Sequence, residues 1–445
     1  MFDPSYSIGK AWPVFILTMI AMRRSLHLAG CLVSLVLFLY FLHRTPSDPS
    51  PSAFDNIDIG AGSVANSDLT GPKVLSQAET TAYVVSIIEP KDHNASRLQC
   101  PSPGVGRYKH LRSKSARKSP VKYHFALNLR QCLHLLPQLL GSVVEAIRFL
   151  GPEQCALSII EGNSEDGTQD VLAALQRELV KLMGDRVHIV LGDSIDPVSL
   201  GSPGGARFSR LAALRNMALQ PLVQHPERYA GDATVVFIND VAICTEDILE
   251  LMHQRRVLRA DMTCAMDWMI GDDGRSLFYD SYIARAANGD LFFDIPPQTA
   301  SFEHGVDGLF WNEPVARARL EAHLPFQVFS CWNGAVSFAA KPIMERKVTF
   351  RVSREDLGEC YGGEPQLFCK DMAFQGYGKI AVVPSVSLEY SIEKGEMLKK
   401  AKGFVSSLVD DDSEKESIAW QPPPERVKCM PTFDNQYWRP WNDTL

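Results

Sequence analysis

The chain has 445 residues, 45% of them hydrophobic, enough for one large or two ordinary domains around a sizeable core. Its formal charge of -7, with both signs mixed along most of the chain, argues against a nucleic-acid binder, although a local basic patch for phosphate remains open. Ten cysteines without a CxxC pair or a Cys/His zinc spacing argue against a thiolate metal site.

Residues 26–42, LHLAGCLVSLVLFLYFL, follow Arg23-Arg24 and are apolar almost throughout. As a helix, about 17 residues span about 25 Å, enough for a thin bilayer. The polar HRTPSDPSPSAF comes next, with no clear small-residue cleavage site. The expectation is a signal anchor, with residues 1–25 cytosolic and the rest lumenal. His43-Arg44 on the other flank weakens that orientation, a cleaved signal peptide is the rival reading, and Met22 is an alternative start. A lumenal body sits where cysteines oxidise, and nine follow the anchor, so at least one is free or paired between molecules. The triplets Asn94-Ala95-Ser96 and Asn442-Asp443-Thr444 are glycosylation acceptors consistent with that route.

Residues 45–75 are rich in Pro, Ser, Gly and Asp without a period, and a flexible stem is expected over 43–120. Within it, 76–90 has the pattern of a short helix or strand that packs on the body, and the basic 101–120 reads as a solvated linker or an acidic-glycan or membrane contact. From 121 the texture alternates. KYHFALNLR, CALSII, RVHIVLGD, ATVVFIND and DMTCAMDW read as strands. Helical patterns separate them: CLHLLPQLLGSVVEAIRFL closed by Gly151, DVLAALQRELVKLM, RLAALRNMALQPLV and TEDILELMHQRRVLRA. That alternation predicts an α/β domain over 121–400 on a mostly parallel sheet. Residues 401–445 have turn chemistry and aromatics, and are expected to strap across the body.

In such sheets ligands bind beyond the carboxyl ends of the strands, and three polar clusters fall there. In EGNSEDGT, Asn163 and Asp166 are candidates for a nucleotide pocket, with helix capping by Asp166 or Thr168 as the alternative. In RFSRLAALRNMAL, Arg207, Arg210 and Arg215 do not share one helix face, but one or two can meet a diphosphate. The third cluster is Asn239-Asp240, at the tip of ATVVFIND. Thr245, Glu246 and Asp247 explain the helix start that follows, but not those two residues. Hard oxygens at a strand tip suit Mg²⁺ or Mn²⁺.

Together these segments resemble a GT-A (Rossmann-like) glycosyltransferase with its metal-binding acidic motif at the end of the fourth strand. More closely, the chain is similar to the fungal capsule-associated α-1,3-mannosyltransferases of glycosyltransferase family 69. EGNSEDGTQD, VVFINDVAICTEDILELM, AMDW, FYDSYIAR, FSCWNGAVSF and GECYGGEPQLFCKDMAFQGYGKIAVVPSV carry the likeness. The resemblance implies a single-pass type II Golgi enzyme that moves mannose from GDP-mannose to a glycan acceptor with retention, aided by Mn²⁺ or Mg²⁺. It places the metal on Asp240, the donor on Asn128, Asn163, Asp166, Arg215 and Asn239, and catalysis on Glu364 and Asp371, which share a face if their helix is continuous. Asp267, Trp268 and Trp332 are the expected acceptor contacts. Asp280 and Arg285 are expected to tie a loop, and Cys360 and Cys369 to bridge the Glu364 loop or stay buried thiols. A silent glycan-assembly factor, or a transferase using another nucleotide sugar, are the alternatives.

Overall fold

The computed structural model describes residues 74–89, 96–112, 119–192, 204–271, 273–409 and 417–443. The expected anchor at 26–42, the Asn94 acceptor and most of the Pro/Ser-rich segment fall outside them. Ten strands form the main sheet: β1 (Val121–Leu129), β2 (Cys155–Glu161), β3 (Val187–Val190), β4 (Tyr229–Ile238), β5 (Met262–Ile270), β6 (Ser276–Phe278), β7 (Arg285–Ala286), β8 (Phe326–Ser330), β9 (Ala335–Ala339) and β10 (Ile380–Leu388). β11 (Arg426–Thr432) and β12 (Asn435–Pro440) form a separate hairpin. The longer helices are α1 (Gln77–Ile88), α2 (Leu136–Leu150), α3 (Thr168–Met183), α4 (Gly204–Gln224), α5 (Thr245–Val257), α6 (Pro314–Glu321), α7 (Glu364–Phe374) and α8 (Ile392–Lys402).

The strand order is β3-β2-β1-β4-β9-β5-β10-β8-β7, with β6 on β5. β3, β2, β1 and β4 run parallel, as the strand–helix alternation predicts. Beyond β4 the sheet is mixed. β9 is antiparallel to both β4 and β5, β10 is parallel to β5, and β8, β7 and β6 pair antiparallel. The expected mostly parallel sheet therefore holds for its first half only. β8 and β9 run the same way with β5 and β10 between them, and the four residues that join them, including Asn333 and Gly334 at positive φ (51° and 82°), carry the chain sideways across the sheet.

The period of two sorts side chains between two cores. Val235 and Phe237 face one that includes Ala218 and Leu222 of α4 and Phe368 of α7. Val236 and Ile238 face another, with Val143 and Ile147 of α2, Leu175 of α3 and Leu251 of α5. A sheet covered on both faces needs apolar residues at nearly every strand position, and the last six residues of β4 are buried without a break. α2 closes at Gly151, whose φ of 104° lets the chain leave the helix directly.

Within the stem expected over 43–120, the short element at 76–90 packs on the body as expected, and the described residues 96–112 are packed as well. α1 starts at a Ser76/Glu79 capping box and buries Ile87 in the second core. Arg107, in the basic segment, forms a buried pair with Glu250 of α5 at 2.7 Å, and Tyr108 donates to the same carboxylate at 3.0 Å. The described residues 101–112 of the basic segment are docked and not a solvated linker. Disulfides join Cys100 to Cys244, Cys264 to Cys331 and Cys360 to Cys429. Of the two expectations for Cys360 and Cys369, a mutual bridge or buried thiols, the second holds for Cys369, a buried thiol on α7, while Cys360 bridges to the hairpin. Arg285 ties the hairpin to the body as well, donating from Nε to Lys428 O at 2.7 Å.

Candidate functional site at the carboxyl ends of the strands

The loops after β1 and β2 are laced together through side chains that hold backbone N–H groups. Glu161, fully buried at the end of β2, accepts from the amides of Asn163 (3.1 Å), Ser164 (2.8 Å) and Gly192 (3.2 Å). A Cβ at Gly192 would run into the Asn163 backbone, so only glycine fits there. Asn163 itself is left-handed (φ 58°) and half-buried. Ser164 Oγ accepts from Gln131 N at 2.8 Å and Thr168 Oγ1 from Cys132 N at 3.2 Å. Asp166 accepts from Leu133 N (2.9 Å) and Thr168 N (3.0 Å), one bond to each oxygen. The expected nucleotide ligand Asp166 is therefore a clasp between two loops and a cap on α3, because unpaired N–H groups at a helix start claim the nearest carboxylate. Asn128 is similarly engaged. Its amide meets the backbone of α4, donating to Leu214 O (3.2 Å) and accepting from Arg215 N (3.1 Å). It positions the helix that carries Arg215.

The tip of β4 is different. Asn239 N donates to Gly334 O at 2.9 Å, and Asn239 Oδ1 accepts from the Trp332 indole at 3.0 Å. That oxygen is thus held by the fold and not offered to a ligand. Asp240 next to it is open to solvent. Yet surrounding protein pushes its carboxyl above the ordinary carboxylate range, against the lowering influence of its own backbone, His134 and Arg215. A side chain that is both solvent-reachable and crowded lies in a cleft. The buried Cys132 thiol sits close enough for Asp240, Asp166 and Glu161 all to add to the upward shift that burial causes, so the tips of β1, β2 and β4 converge.

Arg215 and Glu364 meet. Arg215 Nε donates to Glu364 Oε1 at 2.9 Å, with both residues buried. The guanidinium lies 4.5 Å from the centre of the Trp332 ring and 5.5 and 5.6 Å from those of Phe237 and Phe350. Glu364 is the first residue of α7, where a carboxylate also complements the helix dipole. Two residues expected to serve phosphate and sugar separately are one ion pair beside the cleft. Trp332, only 2% exposed, is the floor beneath it and not an open sugar platform.

The other expected residues separate. Asp371, at the far end of α7, forms a two-pronged pair with Arg351 (2.7 and 2.8 Å). Arg351 also grips Glu359 at 2.7 and 2.9 Å, and Lys370 joins at 2.8 Å. Asp371 pins a loop, and it does not accompany Glu364. Asp267 and Trp268, neighbours on β5, point to opposite faces and cannot line one acceptor pocket. Asp267 is buried, accepts from Tyr390 OH at 2.6 Å and leaves its other oxygen without a partner. Burial and then Asp280 push its carboxyl well up. Asp280 accepts from Asn333 N at 2.9 Å, as a loop tie should, and burial raises it to about 6. Arg215 and Glu364 both act on Asp280, which brings it into the same neighbourhood. Glu161, Tyr390 and this role of Asp280 were missed. A carboxylate directly before Gly-Asn at a strand end is the signal that could have found Glu161.

Among the described residues no three His, Cys, Asp or Glu side chains converge to hold a metal. A divalent cation often takes only one or two protein carboxylates and completes its shell with substrate phosphates and water. Asp240 fits that limited role.

Residues 122–371 match the sequence profile of the family described as Cryptococcal mannosyltransferase 1. A relative, Alpha-1,3-mannosyltransferase CMT1 of Cryptococcus neoformans var. neoformans serotype D, is 34% identical over 329 residues, covering 70% of this chain and 68% of its own. The chain belongs to this family. It is accordingly an enzyme, a mannosyltransferase, on a mixed α/β fold with a large central sheet. Among solved structures, residues 1–349 of S. aureus TarS align at 14% identity and a TM-score of 0.33, covering 61% of this chain and 60% of that one. The mannosyltransferase PcManGT from Pyrobaculum calidifontis, solved with GDP-Man and Mn²⁺, aligns at 12% and 0.33, covering 70% and 66%. Scores this low say nothing about the site of the cryptococcal-type enzyme.

Proposed function

We propose that this member of the family transfers mannose from GDP-mannose to a hydroxyl of a glycan acceptor, forming an α-1,3 linkage with retention. The observation that carries the reading is Asp240: a carboxylate in a cleft at the end of a buried strand of the central sheet, beside the Arg215–Glu364 pair. A divalent cation bound through Asp240 would supply charge neutralisation at the diphosphate.

The chain's own residues do the rest. Glu161, Asp166, Ser164 and Thr168 hold the loops after β1 and β2 in one shape, so their surface is preformed for the nucleotide. Arg215 holds a positive charge in a fixed place at the cleft because Asn128, Trp332 and Glu364 fix its backbone, its guanidinium face and its Nε. Glu364, committed to Arg215, is not a free base. That agrees with front-face transfer. The bond between the anomeric carbon and the diphosphate oxygen breaks, the acceptor oxygen bonds on the same face, and its proton passes to the departing phosphate.

A lumenal body tethered to a Golgi membrane through residues 26–42 is part of the same proposal. It is supported by the apolar run there and by three disulfides in the body, which form where thiols oxidise. The test is Asp240→Ala in the full chain with GDP-mannose and Mn²⁺. Transfer should fall by about a hundredfold or more, with the thermal midpoint little changed. Wild-type turnover in that variant would remove the assignment.

A further inference from the structure

A cavity of about 210 Å³ opens on the side of β5 that Trp268 faces, and Asp307, Arg317, His323, Ser387 and Lys402 line it with Trp268. It shares none of these residues with the Asp240 cleft. One wall comes from β10, whose pairing with β5 slips between Val382 and Ser387 and opens the sheet.

The polar groups here are unusual for a core. Trp268 is 4% exposed, and its indole N–H is buried without an acceptor. Leaving a buried donor unpaired costs free energy, so such a group marks a place where a partner binds. The Lys402 ammonium lies 3.6 Å from the centre of the Trp268 ring. That covers one face of the indole.

Charge decides what class of ligand suits the cavity. Arg317 and Glu321 cancel each other in a 3.1 Å pair at the exposed rim. Lys402 and Asp307 then contribute one charge of each sign. Burial and the nearby Lys402 lower the His323 pKa, so that ring is neutral at pH 7, one nitrogen donating and one accepting. An inorganic anion would gain from Lys402 and lose against Asp307. A sugar ring suits both, because each hydroxyl accepts from an ammonium or indole N–H and donates to a carboxylate.

We propose that this cavity is a carbohydrate subsite for one neutral pyranose ring of the glycan, other than the ring that reacts. It rests on the mannosyl-transfer reading for the identity of the glycan. The test uses the full chain and α-1,3-mannobiose as probe, followed by saturation-transfer NMR. Mannobiose should bind wild type and Asp240→Ala alike, and should weaken about tenfold in Lys402→Met and in Asp307→Asn. Lys402→Met should transfer mannose to a monosaccharide acceptor at the wild-type rate, while its KM rises on longer acceptors. Thermal melting identifies any variant that fails to fold, and Lys402→Arg, which keeps the charge, should retain binding.

Mannobiose binding that is indifferent to both cavity substitutions overturns the subsite. So does displacement of mannobiose by sodium sulfate, which would make the cavity an anion site. If wild type fails to use GDP-mannose, the donor assignment falls, but the binding comparison still decides the subsite on its own.

Discussion

At the ends of β1 and β2 the polar side chains are taken up by backbone amides, whereas beyond β5 the buried charges are taken up mainly by one another. Glu161 and Asp166 together hold five N–H groups. Glu364, Glu359 and Asp371 instead close on Arg215, Arg351 and Lys370. Regular βα units explain the difference. Each delivers a short turn whose amides need acceptors, so a nearby carboxylate is claimed locally. The mixed half is joined by long irregular segments whose charged side chains pair with one another, from Arg351 with Glu359, 8 residues apart, to Arg215 with Glu364, 149 apart. Such pairs fix one arrangement of the segments they join, but removing one member strands a buried charge.

The sharpest way to break this contrast is to remove one partner of the Arg215–Glu364 pair. Arg215→Ala or Glu364→Ala should cost about 3–5 kcal/mol of stability, measured by urea unfolding, because the survivor stays buried and uncompensated. The double variant Arg215→Met with Glu364→Leu should recover much of that loss while transfer stays low. Single variants with wild-type stability would mean that the pair is not a buried unit.

A second test uses pH. Burial holds the Asp280 carboxyl at about 6, above its ordinary value of 3.8. Below that lower value both folded and unfolded chains hold the proton. Between the two, the folded chain keeps a proton that the unfolded chain has released. Asp280 therefore makes the fold lose stability as pH rises from about 4 to about 6, by up to about 1.4 kcal/mol per pH unit. Asp280→Asn should flatten that slope in chemical unfolding measured across the window. An unchanged slope would assign it to other groups.

The same contrast explains what could be read from the sequence. Elements through β5 were legible because periods of 3.6 and 2 alternate there and glycines such as Gly151 mark the ends. Asp240 was legible because two hard-oxygen residues end an otherwise apolar strand. Nothing local announces that β9 inserts between β4 and β5, since strand neighbours there are set by long-range pairing. Trp332 was mistaken for a sugar platform because an aromatic looks the same in sequence whether it meets a sugar or an arginine. The resemblance and a seven-residue spacing put Asp371 with Glu364, but helical spacing fixes a shared face and not a shared partner.

Asp371 gives the smallest and most discriminating effect. Its two oxygens face Arg351, which also holds Glu359 through two bonds, so Asp371→Asn removes one charge from a cluster that keeps its other members. The carboxylate is partly solvent-exposed, which weakens the interaction further. The expected cost is about 1 kcal/mol in urea unfolding, with mannosyl transfer within about threefold of wild type. A catalytic carboxylate would behave in the opposite way, with stability kept and turnover lost by a hundredfold or so. A loss of that size would return Asp371 to the reaction and show that the mixed half of the sheet supplies a second acidic residue to the cleft.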